Sequence, residues 1–404
     1  MNKKMLYLFA CACLLVPQLG QALSSEEILE SNLDLKTEIN NTLSEAKETA
    51  SVINSWFLEA VENNSPTKVK FYLSLGANIN YSEKENKTAL YIASKKGYTE
   101  IVDILLNHKN DAGKYDVIVD SKTSIKWTPL MVACYYGHMT IATKLIARGA
   151  DINYQNKTDG FTPLMLAIWR GNTKTATKLL SYRNINVNLA TVTEKLTPLM
   201  LCLETPHLFS TGNTFDTHRY LGDHLKADYF GVFKLILSKN PDPNARDIYG
   251  QTAVHKAARN RPFLLELLRT KKYKVEVKDN GGNTPLHFAN LDCTHTLLDY
   301  GANVNAQNNR GETPLMWHAR LYTDNDILLA LIMRGAKADM RTDKNWNALF
   351  FAVYEDCDLK NIDMLFKAGA NPKIVDKEGR NLKDLILENG EYCYYPEIAP
   401  ILGL

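Results

Sequence analysis

The chain has 404 residues, of which 45% are hydrophobic and 23% are charged, a composition typical of globular proteins. This composition excludes collagen and bundles of membrane-spanning helices. The formal net charge is +2 and falls to zero without Lys3 and Lys4, so bulk charge gives no attraction to nucleic acid or anionic lipid.

The first 22 residues have the pattern of an export signal. A basic start at Lys3 and Lys4 precedes an apolar run of 12 residues, 5–16, and Gly20 to Ala22 supply the small residues that a signal peptidase needs. Because spanning a bilayer takes roughly 20 apolar residues, a retained anchor is the weaker alternative, as is lipidation at Cys11. We expect residues 1–22 to be removed and the mature chain to be periplasmic or secreted, without membrane insertion.

Residues 23–55 are predicted to form an N-terminal helical cap. Ser24 and Glu27 have the spacing of a capping box, and apolar residues recur at mostly helical intervals as far as Ile53. Acidic side chains outnumber lysines around this apolar face, whereas an amphipathic membrane helix would be basic.

A repeated tripeptide sets the organisation of the rest of the chain. Thr-Pro-Leu begins at Thr128, Thr162, Thr197, Thr284 and Thr313, and degenerate copies begin at Thr88, Thr252, Asn347 and Asn381. Most intervals are 29 to 35 residues, which is the period of stacked helix pairs joined by β-turns.

With this motif and this period, the chain resembles the ankyrin repeat family. Segments 279–289 and 301–305 match the family pattern almost position by position. The resemblance implies an all-α solenoid of about nine helix-turn-helix repeats over residues 56–390, closed by a C-terminal tail at 391–404.

Each part of the repeat has a physical role. The threonine hydroxyl can cap a helix that the following proline starts, and a glycine such as Gly149 in a Gly-Ala-Asp segment suits the left-handed end of the second helix. The resemblance implies that His255 and His287 tie neighbouring hairpins together by hydrogen bonds. Buried methionines fill the same position in other copies.

Two insertions lengthen the period, one near 107–126 in a connecting hairpin and one near 205–228 between two helices. The second is rich in possible metal ligands, namely His207, Asp216, His218, Asp223, His224 and Asp228. None of these histidine pairs has a spacing typical of metal sites, so we predict no metal.

No catalytic or cofactor motif occurs in the chain. Phosphate-binding, dinucleotide-binding, serine hydrolase and zinc protease patterns are all missing, which favours a non-enzymatic protein without a cofactor. Cys134 and Cys202 are predicted to be small core residues. Cys357 and Cys393 lie near the interhelical turns of adjacent repeats and are candidates for a disulfide.

Six residues are predicted to bind a partner. In the ankyrin family, partners generally contact the hairpin tips and the end of the first helix, here the position before the motif threonine and the seventh and eighth after it. In two neighbouring repeats these positions hold Trp127, Tyr135, Tyr136, Phe161, Trp169 and Arg170. Trp, Tyr and Arg are enriched at interaction hot spots, although Trp127 and Phe161 could also pack against their own hairpins.

The sequence therefore predicts a monomeric, exported solenoid that binds a protein and no nucleic acid. Two alternatives stay open. One is a metal-dependent or catalytic site in the 205–228 insertion, and the other is a structural spacer in an envelope or surface assembly.

Overall fold

The computed structural model describes residues 33–110, 112–208, 227–320, 325–356, 358–388 and 395–402, with the side chains of 33–47, 205–208, 355, 356 and 395 left aside. These residues form two compact units, unit 1 to Ile185 and unit 2 from Asn186. They contain helices, turns and three isolated β-bridges but no β-strand, which confirms the predicted all-α repeat fold.

Unit 1 contains eight α-helices in its described residues. They are α1 (Leu33–Glu62), α2 (Pro66–Ser74), α3 (Ala89–Lys96), α4 (Thr99–Asn107), α5 (Pro129–Tyr135), α6 (Met139–Ala147), α7 (Pro163–Trp169) and α8 (Thr173–Leu180). Helix α1 crosses the predicted end of the cap at residue 55 without a break and becomes the partner of α2. The predicted capping box at Ser24 and the export signal lie outside the described residues.

Unit 2 continues the alternation of first and second helices. Its described helices are α9 (Pro198–Leu208), α10 (Tyr229–Ser238), α11 (Ala253–Ala257), α12 (Arg261–Arg269), α13 (Pro285–Phe288), α14 (Leu291–Asp299), α15 (Pro314–Ala319), α16 (Asn325–Met333), α17 (Ala348–Phe351), α18 (Leu359–Lys367), α19 (Leu382–Glu388) and α20 (Tyr395–Leu402). A π-helical turn, Ala352–Asp356, follows α17.

The first helices start where the tripeptide predicts. The Thr128 hydroxyl accepts a hydrogen bond from the Met131 N–H at 3.3 Å, and Thr162 caps α7 in the same way. Proline follows each threonine at the first helical position, where a missing N–H costs nothing. The left-handed glycines are also confirmed, for example Gly149 with φ +96° at the end of α6.

Within each unit, helices are buried against the helices of neighbouring repeats. In unit 1, α5 packs between α3 and α7, and α6 packs between α4 and α8. Leu130, Leu145 and Leu164 are fully buried at these contacts, and so are Cys134 and Met131. The predicted core positions of Cys134 and Cys202 are thus confirmed, since neither side chain is accessible to solvent.

Histidines join neighbouring hairpins in unit 2, as predicted. His255 Nδ1 lies 3.0 Å from the Thr252 hydroxyl, and its Nε2 donates to the Asn283 carbonyl at 3.1 Å. His287 makes the equivalent pair of contacts with Thr284 and the Glu312 carbonyl. These bonds set the register of three consecutive hairpins.

The buried histidines predict a loss of stability in mild acid. Burial lowers the pKa of His318 to about 4, and it also lowers the pKa values of His255 and His287. An unfolded histidine binds a proton below about pH 6.5, whereas folded His318 stays neutral, so stability is present above pH 6.5 and is lost as the pH falls towards 4. Urea unfolding at pH 7.5, 6.5 and 5 should show a falling midpoint.

The variant His318→Gln separates the effect of protonating this histidine from the effect of protonating acidic groups. A glutamine amide can still donate to the Leu286 carbonyl that accepts from His318 Nε2 at 3.4 Å. Between pH 6.5 and 5, the variant should lose about 1.6 kcal/mol less unfolding free energy than the parent chain. Equal losses in the two proteins would contradict a neutral buried His318.

Candidate functional site

The six predicted binding residues lie together in unit 1. Trp127 and Phe161 end two hairpins, Tyr135 and Trp169 end α5 and α7, and Tyr136 and Arg170 follow these helices directly. We call the six residues Trp127, Tyr135, Tyr136, Phe161, Trp169 and Arg170 the aromatic cluster. That they form one cluster follows from the geometry, whereas their role in binding stays a prediction.

Tyr135 is the centre of the cluster. Its ring centroid lies 5.2 Å from that of Trp127, 5.0 Å from that of Tyr136 and 6.0 Å from that of Trp169. The Arg170 guanidinium carbon lies 4.6 Å from the centre of the Tyr135 ring, within cation–π distance. Tyr135 therefore connects the two repeats through its side chain.

The remaining contacts extend this arrangement in both directions. Phe161 packs on Trp169 at 5.8 Å, and Tyr136 stacks on His138 at 6.3 Å with an angle of 18° between the rings. Tyr136 is 38% exposed, and the other members are half-buried. Trp127 and Phe161 thus pack against ring neighbours and still present part of their surface to solvent.

Backbone contacts between repeats hold the helix ends in place. The Asn172 amide donates to the carbonyls of Cys134 at 3.0 Å and Tyr135 at 2.8 Å, at the end of α5 where the last carbonyls have no N–H of the next helical turn. His138 Nε2 likewise donates to the Lys95 carbonyl at the end of α3, at 3.2 Å. Gly137 makes room for this packing, since a Cβ there would lie 2.7 Å from the Asn172 side-chain oxygen. The ends of three successive first helices are therefore fixed to one another.

The described residues contain no group of three or more histidine, cysteine, aspartate or glutamate side chains that could hold a metal ion. Burial raises the pKa of the Cys293 thiol to about 12, and it raises the pKa values of Cys134 and Cys202 further. These thiols are therefore not nucleophiles at neutral pH.

Two predicted features fall largely or wholly outside the described residues. Of the insertion's potential ligands, only the Asp228 side chain is described, and it caps α10 by accepting from the Gly231 N–H at 2.7 Å. Both Cys357 and Cys393 lie outside, so the proposed disulfide stays a prediction.

Sequence reasoning missed a second aromatic row in unit 2. The Phe288 and Trp317 rings lie 5.4 Å apart, and the Arg320 guanidinium lies 5.1 Å from the Trp317 ring and 4.9 Å from the Phe351 ring. Phe288, Trp317 and Phe351 each stand four residues after the motif position of their repeat. That shared offset is a usable signal, but the contact pattern of the family points only to the positions before the motif and seven or eight after it.

Trp346 differs from Trp127 and Phe161, the other aromatic residues that precede a motif position. It is only 6% exposed, and its indole N–H donates to Asp376 Oδ2 at 3.2 Å. Trp346 is therefore a core residue of unit 2 and not an exposed contact like Trp127.

Comparison with known families gives a match along most of the chain. The family described as ankyrin repeats in three copies matches residues 57–156, 118–191, 140–211, 224–308 and 289–376. These segments cover both units, including the whole aromatic cluster.

Similar proteins share parts of this array. A stretch of 307 residues, 63% of the chain, is 28% identical to the poly(ADP-ribose) polymerase tankyrase of Caenorhabditis elegans. Shorter stretches are 37% identical to ankyrin repeat protein FPV018 of fowlpox virus and 40% identical to human ankyrin repeat domain-containing protein 13C, over 25% and 18% of the chain. The chain spans only 13–15% of the length of these three relatives.

A helix that crosses a bilayer must be both long and apolar. Among the helices in the described part of the chain, none meets both requirements.

The central position of Tyr135 gives a prediction about stability. Tyr135→Ala removes contacts with three rings and a guanidinium, so it should lower the unfolding free energy by roughly 2–3 kcal/mol. Tyr136→Ala, at the more exposed neighbouring position, should cost less than about 1 kcal/mol. Urea unfolding of the two variants measures both values, and equal losses would contradict the central packing role of Tyr135.

Proposed function

The chain belongs to the ankyrin repeat family, and on that premise we propose that it is a non-enzymatic binding protein whose aromatic cluster contacts a partner protein. Ankyrin repeats are protein–protein interaction modules, and the family is generally non-enzymatic. Function in such repeats is carried by the residues grafted onto the scaffold, so the surface of this chain decides the partner.

One observation carries the proposal, namely the partly exposed ring cluster held on fixed helix ends. Tyr, Trp and Arg supply large contact areas with polar groups, and they dominate the binding energy of many interfaces. Because Asn172 and His138 already fix the helix ends, little conformational entropy would be lost on binding. The cluster also lies on two adjacent repeats, so a single partner segment can contact all six residues.

We further propose that the protein acts outside the cytoplasm as a monomer. The support for export is the sequence pattern of residues 1–22, a basic start, a short apolar run and small residues before position 23. Mass spectrometry of the protein from its native source should find Leu23 as the first residue. An N-terminus that still contains Met5 to Val16 would contradict removal of the signal.

The binding proposal predicts a loss of affinity on truncation of Trp169. We expect Trp169→Ala to weaken binding of the natural partner by roughly 2 kcal/mol, or about 30-fold in Kd, because hot-spot truncations typically have this size. Affinity capture with the full chain from its native compartment, beside the double variant Tyr136→Ala and Trp169→Ala, identifies the partner. Circular dichroism of both baits shows that the helices are retained.

A matched control removes two exposed tyrosines elsewhere. Tyr249 and Tyr300 of unit 2 are 63% and 44% exposed, and replacing both by alanine should leave capture unchanged. If the parent chain, the control and the cluster variant all retained the same protein, the interface would lie outside the aromatic cluster.

A further inference from the structure

The aromatic cluster is surrounded by lysines that belong to three consecutive repeats. They lie at hairpin tips or at the end of a first helix, and all are exposed or half-buried. We call them the lysine rim, which consists of Lys84, Lys95, Lys96, Lys126 and Lys157. The rim shares no residue with the aromatic cluster.

Backbone contacts place the rim beside the rings. Lys126 directly precedes Trp127, and the Lys95 carbonyl accepts a hydrogen bond from His138, whose ring stacks on Tyr136. The Ser124 N–H donates to the Glu85 carbonyl at 2.9 Å, so the hairpin tip that carries Lys84 lies next to the tip that carries Lys126.

A side-chain contact adds the third hairpin to this row. The Asn156 amide donates to the Ile125 carbonyl at 3.3 Å, which brings Lys157 beside the second tip. The three tips therefore follow one another in space as they do in sequence. Ile125 is 56% exposed between them, so the rim contains apolar surface as well as charge.

The rim lysines are not paired with acidic side chains in the described residues, although, after Lys87, the charge of Lys95 helps to lower the pKa of Glu85 without a salt bridge. None of the five forms a salt bridge with another described residue. Among the acidic residues at the same tips, Glu85 pairs with Lys87 at 2.6 Å. Glu83 and Asp159 accept hydrogen bonds from the neutral Ser55 hydroxyl and Phe161 N–H and keep their charge, so these two carboxylates face five lysines. An excess of positive charge therefore borders the rings.

Two cations on the second helices of unit 1 have side-chain partners. On the second helices, Lys144 pairs with Asp103 at 2.6 Å, and Arg148 donates to the Asn107 side chain and covers the Tyr115 ring at 3.9 Å. The ammonium groups of the rim have no such contact with a described residue, so a partner can complement their charge.

We propose that the aromatic cluster and the lysine rim together recognise an extended acidic segment of a partner protein that carries an apolar or aromatic side chain. This inference rests on the proposed function and adds the chemistry of its partner. Carboxylates would lie against the rim, and the apolar side chain would pack between Ile125 and Tyr136. Since adjacent repeats lie about 10 Å apart, three tips span about 20 Å, the length of roughly six extended residues.

A library of random dodecapeptides displayed on phage, selected on the full chain, tests the proposal. We expect the selected peptides to be enriched in Asp, Glu and aromatic residues. Fluorescence anisotropy of the labelled, selected peptides should show that Kd rises about tenfold or more between 50 and 500 mM NaCl, because salt screens charge pairs.

Two triple variants separate local charge from net charge. Lys95→Glu, Lys96→Glu and Lys126→Glu reverse the rim, and this variant should bind the peptides about 30-fold more weakly or worse. Lys68→Glu, Lys70→Glu and Lys174→Glu make the same change in net charge at exposed positions of α2 and α8, and we expect less than about a threefold effect there.

The outcomes distinguish this inference from the proposed function. Neutral or basic peptides that lose binding with Tyr136→Ala and Trp169→Ala would overturn the acidic segment but keep the aromatic site. Peptides whose affinity is unchanged by both substitutions would overturn the aromatic site as well. A labelled dT20 oligonucleotide is the comparison for nucleic acid. If it bound more tightly than any peptide, and bound through the aromatic cluster, the ligand of this surface would be nucleic acid and not an acidic segment.

Discussion

The helices that follow α1 in the described repeats are too short to be stable alone, and this constraint shapes the rest of the structure. Helices α5 and α7 have seven residues each, whereas isolated helices need about 12–15 residues to be even marginally stable in water. The short helices are therefore stabilised by burial against neighbouring repeats. Leu130 and Leu164 are examples of side chains that are fully buried in this way. Threonine caps and inter-repeat hydrogen bonds satisfy the backbone groups at the many helix ends that such a design creates.

The same constraint produces the surface that we propose for binding. Burial of one face of α3 and α5 leaves the C-terminal ends of these helices at the surface, and the next repeat fixes them through His138 and Asn172. Side chains placed there are held without taking part in the core. The repeat thus permits Tyr136 and Trp169 to vary with the partner while Leu130 and Leu164 cannot.

Much of this was predictable from sequence, because the period and the Thr-Pro-Leu motif place each residue on a known side of its helix. Helix starts, left-handed glycines, the histidine ties and the grouping of six cluster residues all follow from offsets within the repeat. The burial of Trp346 does not follow from its offset, since the partner of its indole N–H is Asp376, which is 30 residues away. The row formed by Phe288, Trp317 and Phe351 was missed for a related reason. An offset gives the direction of a side chain but not the size of its neighbours.

The central claim is that a partner protein lies directly on the aromatic cluster. Replacing Tyr136 with the photo-crosslinking residue p-benzoylphenylalanine tests it by trapping whichever protein lies there, with the same replacement at Tyr300 of unit 2 as the reference position. Irradiation in the native compartment should give a covalent adduct with one protein from position 136 and none from position 300. An adduct from position 300 alone would contradict the account.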